Sequence, residues 1–435
     1  MKLKNVAFAL FALTLAGLLL GSGPAMAQNE QMFPLLVYRT GPYAPNGIPS
    51  ANGFRDYYDM VSKRDGGVNG VKIAWEECET SYDTKRGVEC YEKVKERATV
   101  VHPFSTGITY QLIPKAPVDK VPIWSSGYGR TAAADGTVFP WIFNAPTTYW
   151  SQASAVIAYI GQIEGGMNKL KGKKVAHIFH NSPYGKEANP TLEVLAKKYG
   201  YELTLLPVDH PGQEQKSTWL QIRRVRPDWI FMSSWGVMGQ VAVKEAASIN
   251  FPMDHFIGNW WSSSEAEVVP AGAAAKGYKG ATFNGAGPNW PVHQDILKHV
   301  YNGDVAKAKE NNWGEVLYNR TLVAAMENLE AVRTAQKRYG NRVITGEEMR
   351  WGLENLDTSA ARLKELGFDG MSRPLKITCN DHESGGPVIF QQWDGSKWNM
   401  VSDWIPVMKD VVRPMIEEAA MEYAKENSIT PRKCG

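Results

Sequence analysis

The stretch KVAHIFHNSPYGKEANPTLEVLAKKYGYELTLLP, Lys174–Pro207, decides the fold. Lys174–Phe179 is a short, mostly apolar run that reads as a strand. Gly185–Tyr199 carries helical periodicity and stops at Gly200, a residue suited to the left-handed cap of a helix end. Glu202–Pro207 is a second strand. A strand, a helix and a strand at this spacing form a βαβ unit, which joins parallel neighbours and needs helices on the sheet faces.

Outward from this unit the same alternation repeats. On the C-terminal side, Trp229–Ser233 and His255–Gly258 read as strands, separated by helices at Gln215–Arg224 and Val237–Ile249. On the N-terminal side, Leu35–Tyr38 is a strand ended by Gly41-Pro42. Ala51–Lys63 is a helix with Phe54, Tyr57, Tyr58 and Val61 on one side. Asn69-Gly70 turns the chain into the strand Val71–Trp75. Asp83 caps a helix over Thr84–Arg97, Thr99–Pro103 and Val121–Trp124 are strands, and Thr147–Ile163 is a helix stopped by Gly165-Gly166. Farther on, Glu315–Gln336, Gly346–Leu353 and Ala360–Leu366 read as helices. Pro387–Trp393 and Trp398–Val401 form a hairpin through Asp394-Gly395. Residues 31–145 and 170–280 share one layout. The chain has 435 residues, beyond the ~250–300 at which a single core stops growing, so two α/β lobes are expected.

The first 27 residues stand apart. Lys2 and Lys4 precede an apolar run from Val6 to Leu20, and Ala25-Met26-Ala27 follows as a small-residue cleavage site. This is the layout of a secretory signal, too short to span a bilayer comfortably. No cysteine stands at the cleavage site, which argues against a lipid anchor. The expected mature protein begins near Gln28 and works in the periplasm. The formal charge is +3, and Lys2 and Lys4 supply two of it. A near-neutral chain carries no electrostatic footprint for nucleic acid or an anionic membrane. Four cysteines, Cys78, Cys90, Cys379 and Cys434, remain after the leader. An even number in an exported chain suggests two disulfides. Of three possible pairings, Cys78 with Cys90 is the local one, leaving Cys379 with Cys434.

Sites of catalysis and metal binding are not apparent. His177 and His180 lie three apart on a strand and face opposite sides, so they do not form a metal pair. Gly285-Ala286-Gly287 lacks the remainder of a dinucleotide fingerprint. There is no P-loop, no GxSxG and no HExxH. Asn319-Arg320-Thr321 matches a glycosylation triplet but falls inside an expected helix. No cofactor is implied.

Five segments in order carry a family resemblance: TGPYAPNGIPSANGFRDYYDM (Thr40–Met60), GGVNGVKIAWEE (Gly66–Glu77), HNSPYGKE (His180–Glu187), RPDWIFMSSWG (Arg226–Gly236) and FIGNWW (Phe256–Trp261). Together they resemble the type I periplasmic solute-binding proteins, the branched-chain amino-acid-binding group. The resemblance implies two doubly wound lobes joined by a hinge crossed three times, near residues 145, 284 and 385. Lobe 1 would hold 28–145 and 285–385, and lobe 2 would hold 146–284 and 386–435. It implies a monomer without cofactor that closes on a small molecule and delivers it to an inner-membrane ABC permease.

The resemblance also implies a site. Ser105, with Thr106 beside it, stands where the family holds a ligand carboxylate. Ser126 and Gly127 would offer backbone groups, and Tyr128 falls where amino-acid binders carry a threonine. Tyr184 and Trp235 match aromatic positions of the other lobe, and Asn46 lies where the first loop shapes the side-chain pocket. Trp260 replaces the glutamate that pairs with an α-ammonium. The expected ligand is therefore a small organic carboxylate or amide with an apolar or aromatic part. An amino acid held without that glutamate is the alternative. A secreted α/β hydrolase is a more distant one, without a nucleophile motif to support it.

Overall fold

A computed structural model describes residues 30–434, so the expected signal sequence lies outside the described residues. Two parallel sheets organise the chain. In the first, Glu30–Val37 pairs with Lys72–Glu79. Single bridges extend it from Leu35 to His102 and from Val101 to Ile123, and Ile123–Trp124 pairs with Ile142–Phe143. The second sheet has seven strands. Glu202–Val208, Lys174–His180, Trp229–Ser233, Phe256–Gly258 and Lys279–Thr282 run parallel in that order, and the hairpin Ile389–Trp393 with Trp398–Met400 closes its edge antiparallel. The chain passes between the sheets three times: after Phe143, after Thr282 and between Lys376 and Ile389. This is the two-lobed, doubly wound arrangement.

The expected elements mostly appear, with instructive shifts. The first helix starts at Ala44 rather than Ala51, running through Pro45 and Pro49 to Asp65. Pro45 sits in the first turn, where a missing N–H costs nothing. Gly47 lets this turn press on Tyr38, where a Cβ would collide with the Tyr38 carbonyl and ring. The Thr99–Pro103 strand is reduced to bridges at Val101 and His102. The helix expected at Gly185–Tyr199 is broken into Pro183–Lys186 and Asn189–Tyr199. The strand Lys279–Thr282 and the helix Lys409–Glu426 went unread in the sequence.

Residues 386–435, grouped with lobe 2 from the sequence, do not stay on one sheet. The hairpin joins the second sheet. The helix Lys409–Glu426 instead buries Ala420 and Ala424 in the core of the first lobe, with Tyr423 packed on Phe139 at 4.8 Å between centroids. Its Val412 and Ile416 pack on Ala134 and Trp150. Disulfides join Cys78 to Cys90 and Cys379 to Cys434. Among the described residues no helix is long and apolar enough to cross a membrane.

Candidate functional site

Both sheets aim their strand ends at one small cavity. In doubly wound folds ligands lie beyond the carboxyl ends of the strands, where the connecting loops converge. The lining follows that rule residue by residue. From the first lobe come Tyr38 after Glu30–Val37, Tyr82 after Lys72–Glu79, Phe104, Ser105 and Thr106 after the His102 bridge, and Tyr128 after Ile123–Trp124. Tyr149 opens the helix after the first crossing. Tyr184, Trp235 and Trp261 follow three parallel strands of the second lobe. Eight of these ten residues are aromatic and none is charged. A wider groove bordered by Asp135, Glu383, Lys409 and Arg413 lies along the C-terminal helix, away from this convergence.

The rings form a continuous shell. Tyr38 meets Tyr82 at 4.9 Å and Trp235 at 6.1 Å between centroids. Trp235 meets Trp261 edge to face at 5.4 Å, and Trp261 meets Tyr128 at 5.7 Å. Such edge-to-face packing fixes ring planes and leaves apolar faces to a flat ligand. Burial pushes the phenols of Tyr38, Tyr149 and Tyr184 well up, so they stay neutral donors or acceptors.

Of the nine residues singled out from the sequence, Ser105, Thr106, Tyr128, Tyr184 and Trp235 line the cavity. Ser105 also caps the helix Thr106–Leu112, its Oγ accepting the Ile108 N–H at 3.3 Å. Thr106 Oγ1 accepts the Gly129 N–H at 3.2 Å. Tyr128 Oη accepts the Phe104 N–H at 2.9 Å. Tyr184 donates to the Ser234 carbonyl at 2.8 Å, which fixes its ring against the second lobe.

The other four lie outside the cavity wall. Trp260 is fully buried behind it, and its Nε1–H donates to the Gly127 carbonyl at 2.9 Å. The ring that reaches the cavity at this place is its neighbour Trp261. Gly127 adopts a φ of +71° and packs on Phe283 and Trp260, so it serves the closed contact between lobes. Ser126 is buried beside it. Asn46 spans the lobes: its Oδ1 accepts the Gly236 N–H at 2.9 Å and its Nδ2–H donates to Glu267 at 2.9 Å. It bridges the lobes and is not part of the cavity lining.

Other closure contacts gather at the same rim. The Tyr43 hydroxyl lies 3.1 Å from His180 Nε2 and 2.5 Å from His210 Nδ1. Glu187 of the second lobe accepts the Thr131 N–H at 3.0 Å and bonds Tyr110. His177, by contrast, is satisfied inside its lobe by Asn189 and Ser233. Arg130 stacks on the ring of Tyr423, 4.7 Å from its centroid, rather than facing the cavity. Trp124 is core, stacked on Phe143. Asn319 is fully buried and donates to the Gly285 and Gly287 carbonyls, a structural role.

Five lining residues were missed in the sequence: Tyr38, Tyr82, Phe104, Tyr149 and Trp261. A signal was present for most, because each of Tyr38, Tyr82, Phe104 and Trp261 follows a strand end by a few residues. Among the described residues no charged one lines the cavity. Glu265 accepts the Val316 N–H at 3.0 Å, and Glu267 is taken up by Asn46 and Ser264. Neither is placed to pair with a ligand ammonium.

Comparison with known proteins agrees with this architecture. The sequence profile of the periplasmic binding protein family matches residues 31–397. A solved chain from the Pseudomonas fluorescens group, described as an ABC transporter permease, is 45% identical over 94% of this chain and 100% of its own, with a TM-score of 0.87. A Thermus thermophilus branched-chain amino-acid ABC transporter protein, solved with valine, is 21% identical over 89% of this chain and 98% of its own, TM-score 0.72. A solute-binding protein from R. palustris, in complex with benzoate, is 16% identical over 87% of this chain and 97% of its own, TM-score 0.69. No curated protein matches the chain in sequence. The two lobes, the cleft between strand ends and the match over most of its length place this chain in the periplasmic binding protein family, as an extracytoplasmic solute-binding component of an ABC transporter and not an enzyme.

Proposed function

We infer that the solute is a small organic acid or amide with an aromatic or apolar body and no α-ammonium group. The observation that carries this reading is the lining: eight aromatic rings, two hydroxyl side chains and no carboxylate. An ammonium buried there exchanges water for π-faces and hydroxyl oxygens, and loses several kcal/mol without a paired charge. A flat, apolar body instead gains ring contacts and loses little on desolvation. The R. palustris relative with benzoate shares the fold and supports the same class.

The leader is cleaved near Ala27, and the mature chain works as a monomer in the periplasm. Lobe 1 spans 28–145 with 285–385, and lobe 2 the remainder, with the tail helix returning to lobe 1. The branched-chain amino-acid alternative requires a carboxylate at the cavity, and neither Glu265 nor Glu267 faces it. Calorimetry with phenylalanine and 3-phenylpropionate tests the reading. The acid is expected to bind at least tenfold tighter. An amino acid that bound tenfold tighter than its deaminated partner would end it.

A further inference from the structure

Three polar groups on the cavity wall have no partner. Trp235 Nε1, Trp261 Nε1 and Tyr38 Oη are buried, and none has a hydrogen-bond partner in the protein. Burial raises the Tyr38 pKa and the nearby Trp235 N–H offsets part of that rise, but the pair does not meet full hydrogen-bond geometry. All three belong to the cavity lining. Buried polar groups are almost always satisfied, and each orphan costs ~1–3 kcal/mol. An indole N–H can only donate. The wall therefore asks for an acceptor, and the missing acceptor is the solute.

A charge stands behind the same wall. Arg320 is fully buried, and its guanidinium lies over the rings of Trp261 and Phe283, at 4.9 and 4.7 Å from their centroids. Its partners are the Trp260 carbonyl, Asn284 Oδ1 at 3.0 Å and Thr282 Oγ1 at 3.0 Å. All are neutral, and Arg320 makes no ion pair among the described residues. Burial pushes its pKa down to about 9, which leaves it charged at neutral pH. The carboxylates that act on its charge are Glu265 and Glu267. Burial drives their pKa up to about 8 and about 7, and both are tied to other groups. A buried guanidinium without a countercharge is costly.

We propose that Trp261 and Trp235 present their N–H groups to the anionic oxygen of the bound solute, with Arg320 stacked behind Trp261 as its countercharge. Arg320 is a positioning residue: it touches the ring rather than the solute. It holds the indole plane, and its field favours an anion at the N–H edge of the ring. The assignment differs from what the family resemblance implies, a carboxylate at Ser105. Ser105 Oγ already accepts the Ile108 N–H, so it offers a single proton against two or three unpartnered donors and a full charge. The proposal rests on the reading of the solute as an organic acid, and goes further in saying which wall recognises the charge.

Calorimetry on the whole mature chain tests it, with benzoate and 3-phenylpropionate against their primary amides as probes. In the wild type the acids should bind tighter than the amides. If neither acid binds, or the amides win, the organic-acid reading itself fails and this assignment falls with it. Given acid preference, Arg320→Gln should lower acid affinity tenfold or more and amide affinity less than threefold. Arg320→Lys should restore most of the preference. Trp261→Phe keeps the ring under the guanidinium but removes the donor, and should weaken the acid about tenfold. This variant carries the test if Arg320→Gln does not fold. Ser105→Ala should weaken acid and amide alike. An unchanged acid-to-amide ratio in Arg320→Gln, unchanged acid affinity in Trp261→Phe, or loss of the preference in Ser105→Ala would each overturn the assignment while leaving the solute class intact.

Discussion

Asn46 shows how one side chain couples binding to shape. It is fully buried, yet it belongs to the first helix of one lobe and bonds the Gly236 N–H and Glu267 of the other. Those bonds exist only while the lobes meet. A ligand that touches both lobes shifts the balance toward that state, and anything that weakens the closed state subtracts from apparent affinity. Asn46→Ala removes one bond to a carboxylate and one to a backbone N–H. It is expected to weaken solute binding by ~1–3 kcal/mol, two hydrogen bonds at ~0.5–1.5 kcal/mol each, without touching the cavity. Calorimetry with the identified solute checks this. An affinity equal to wild type would mean that Asn46 does not hold the closed state. From sequence, Asn46 reads as part of the pocket, because a loop position matched by resemblance does not reveal which way the side chain turns.

At the scale of elements, the two disulfides tie down different things. Cys78–Cys90 closes a separation of 12 residues between the strand Lys72–Glu79 and the helix Thr84–Val94. Cys379–Cys434 closes a separation of 55 and anchors the segment beyond the helix Lys409–Glu426. On the chain-entropy model the shorter loop contributes ~3 kcal/mol and the longer ~4 kcal/mol. Removing Cys379–Cys434 by paired alanines is therefore expected to lower denaturant stability more than removing Cys78–Cys90. Chemical denaturation of both variants checks the order. A reversed order would show that tail packing, not loop closure, dominates. Strand–helix alternation was legible because apolar runs and glycine stops are local. The strand Lys279–Thr282, with only four residues, was not, since its place in the sheet comes from its neighbours Phe256–Gly258 and Ile389–Trp393.

At the scale of the whole molecule, buried titratable groups of opposite sense shape stability against pH. Burial raises Glu265 and Glu327 to about 8, and Glu267 and Glu383 to about 7. The folded chain holds protons there that the unfolded chain releases above about 4.5. Their contribution is complete below that value and is lost as pH rises through 7 to 8. Burial lowers His102, His180 and His382 to about 3, and His177 and His293 to about 4, from an ordinary 6.5. Their contribution is complete above 6.5 and is lost as pH falls toward 3 to 4. The expected Tm profile has its maximum between about pH 5 and 7 and falls on both sides. Differential scanning fluorimetry from pH 4 to 9 checks it. A Tm that climbed from pH 7 to 9 would contradict the raised carboxylates.

The sequence alone determined what depends on near neighbours. The βαβ rhythm was readable because strand periodicity and turn residues act over a few positions, and the resemblance of the family segments pointed to Ser105, Tyr128, Tyr184 and Trp235. Tertiary structure decided what depends on orientation and long-range meeting. Adjacent residues point to different surroundings, so Trp260 turns into the interior while Trp261 faces the cavity. Arg320 sits 59 positions beyond Trp261 in the chain and reaches its ring only when the helix Val316–Tyr339 packs beneath the second lobe. The tail helix returns toward the first sheet, where its Tyr423 packs on Phe139 and its Val412 and Ile416 on Ala134 and Trp150. Such contacts have no local signature, since they are chosen by the packing of whole faces rather than by the chain on either side.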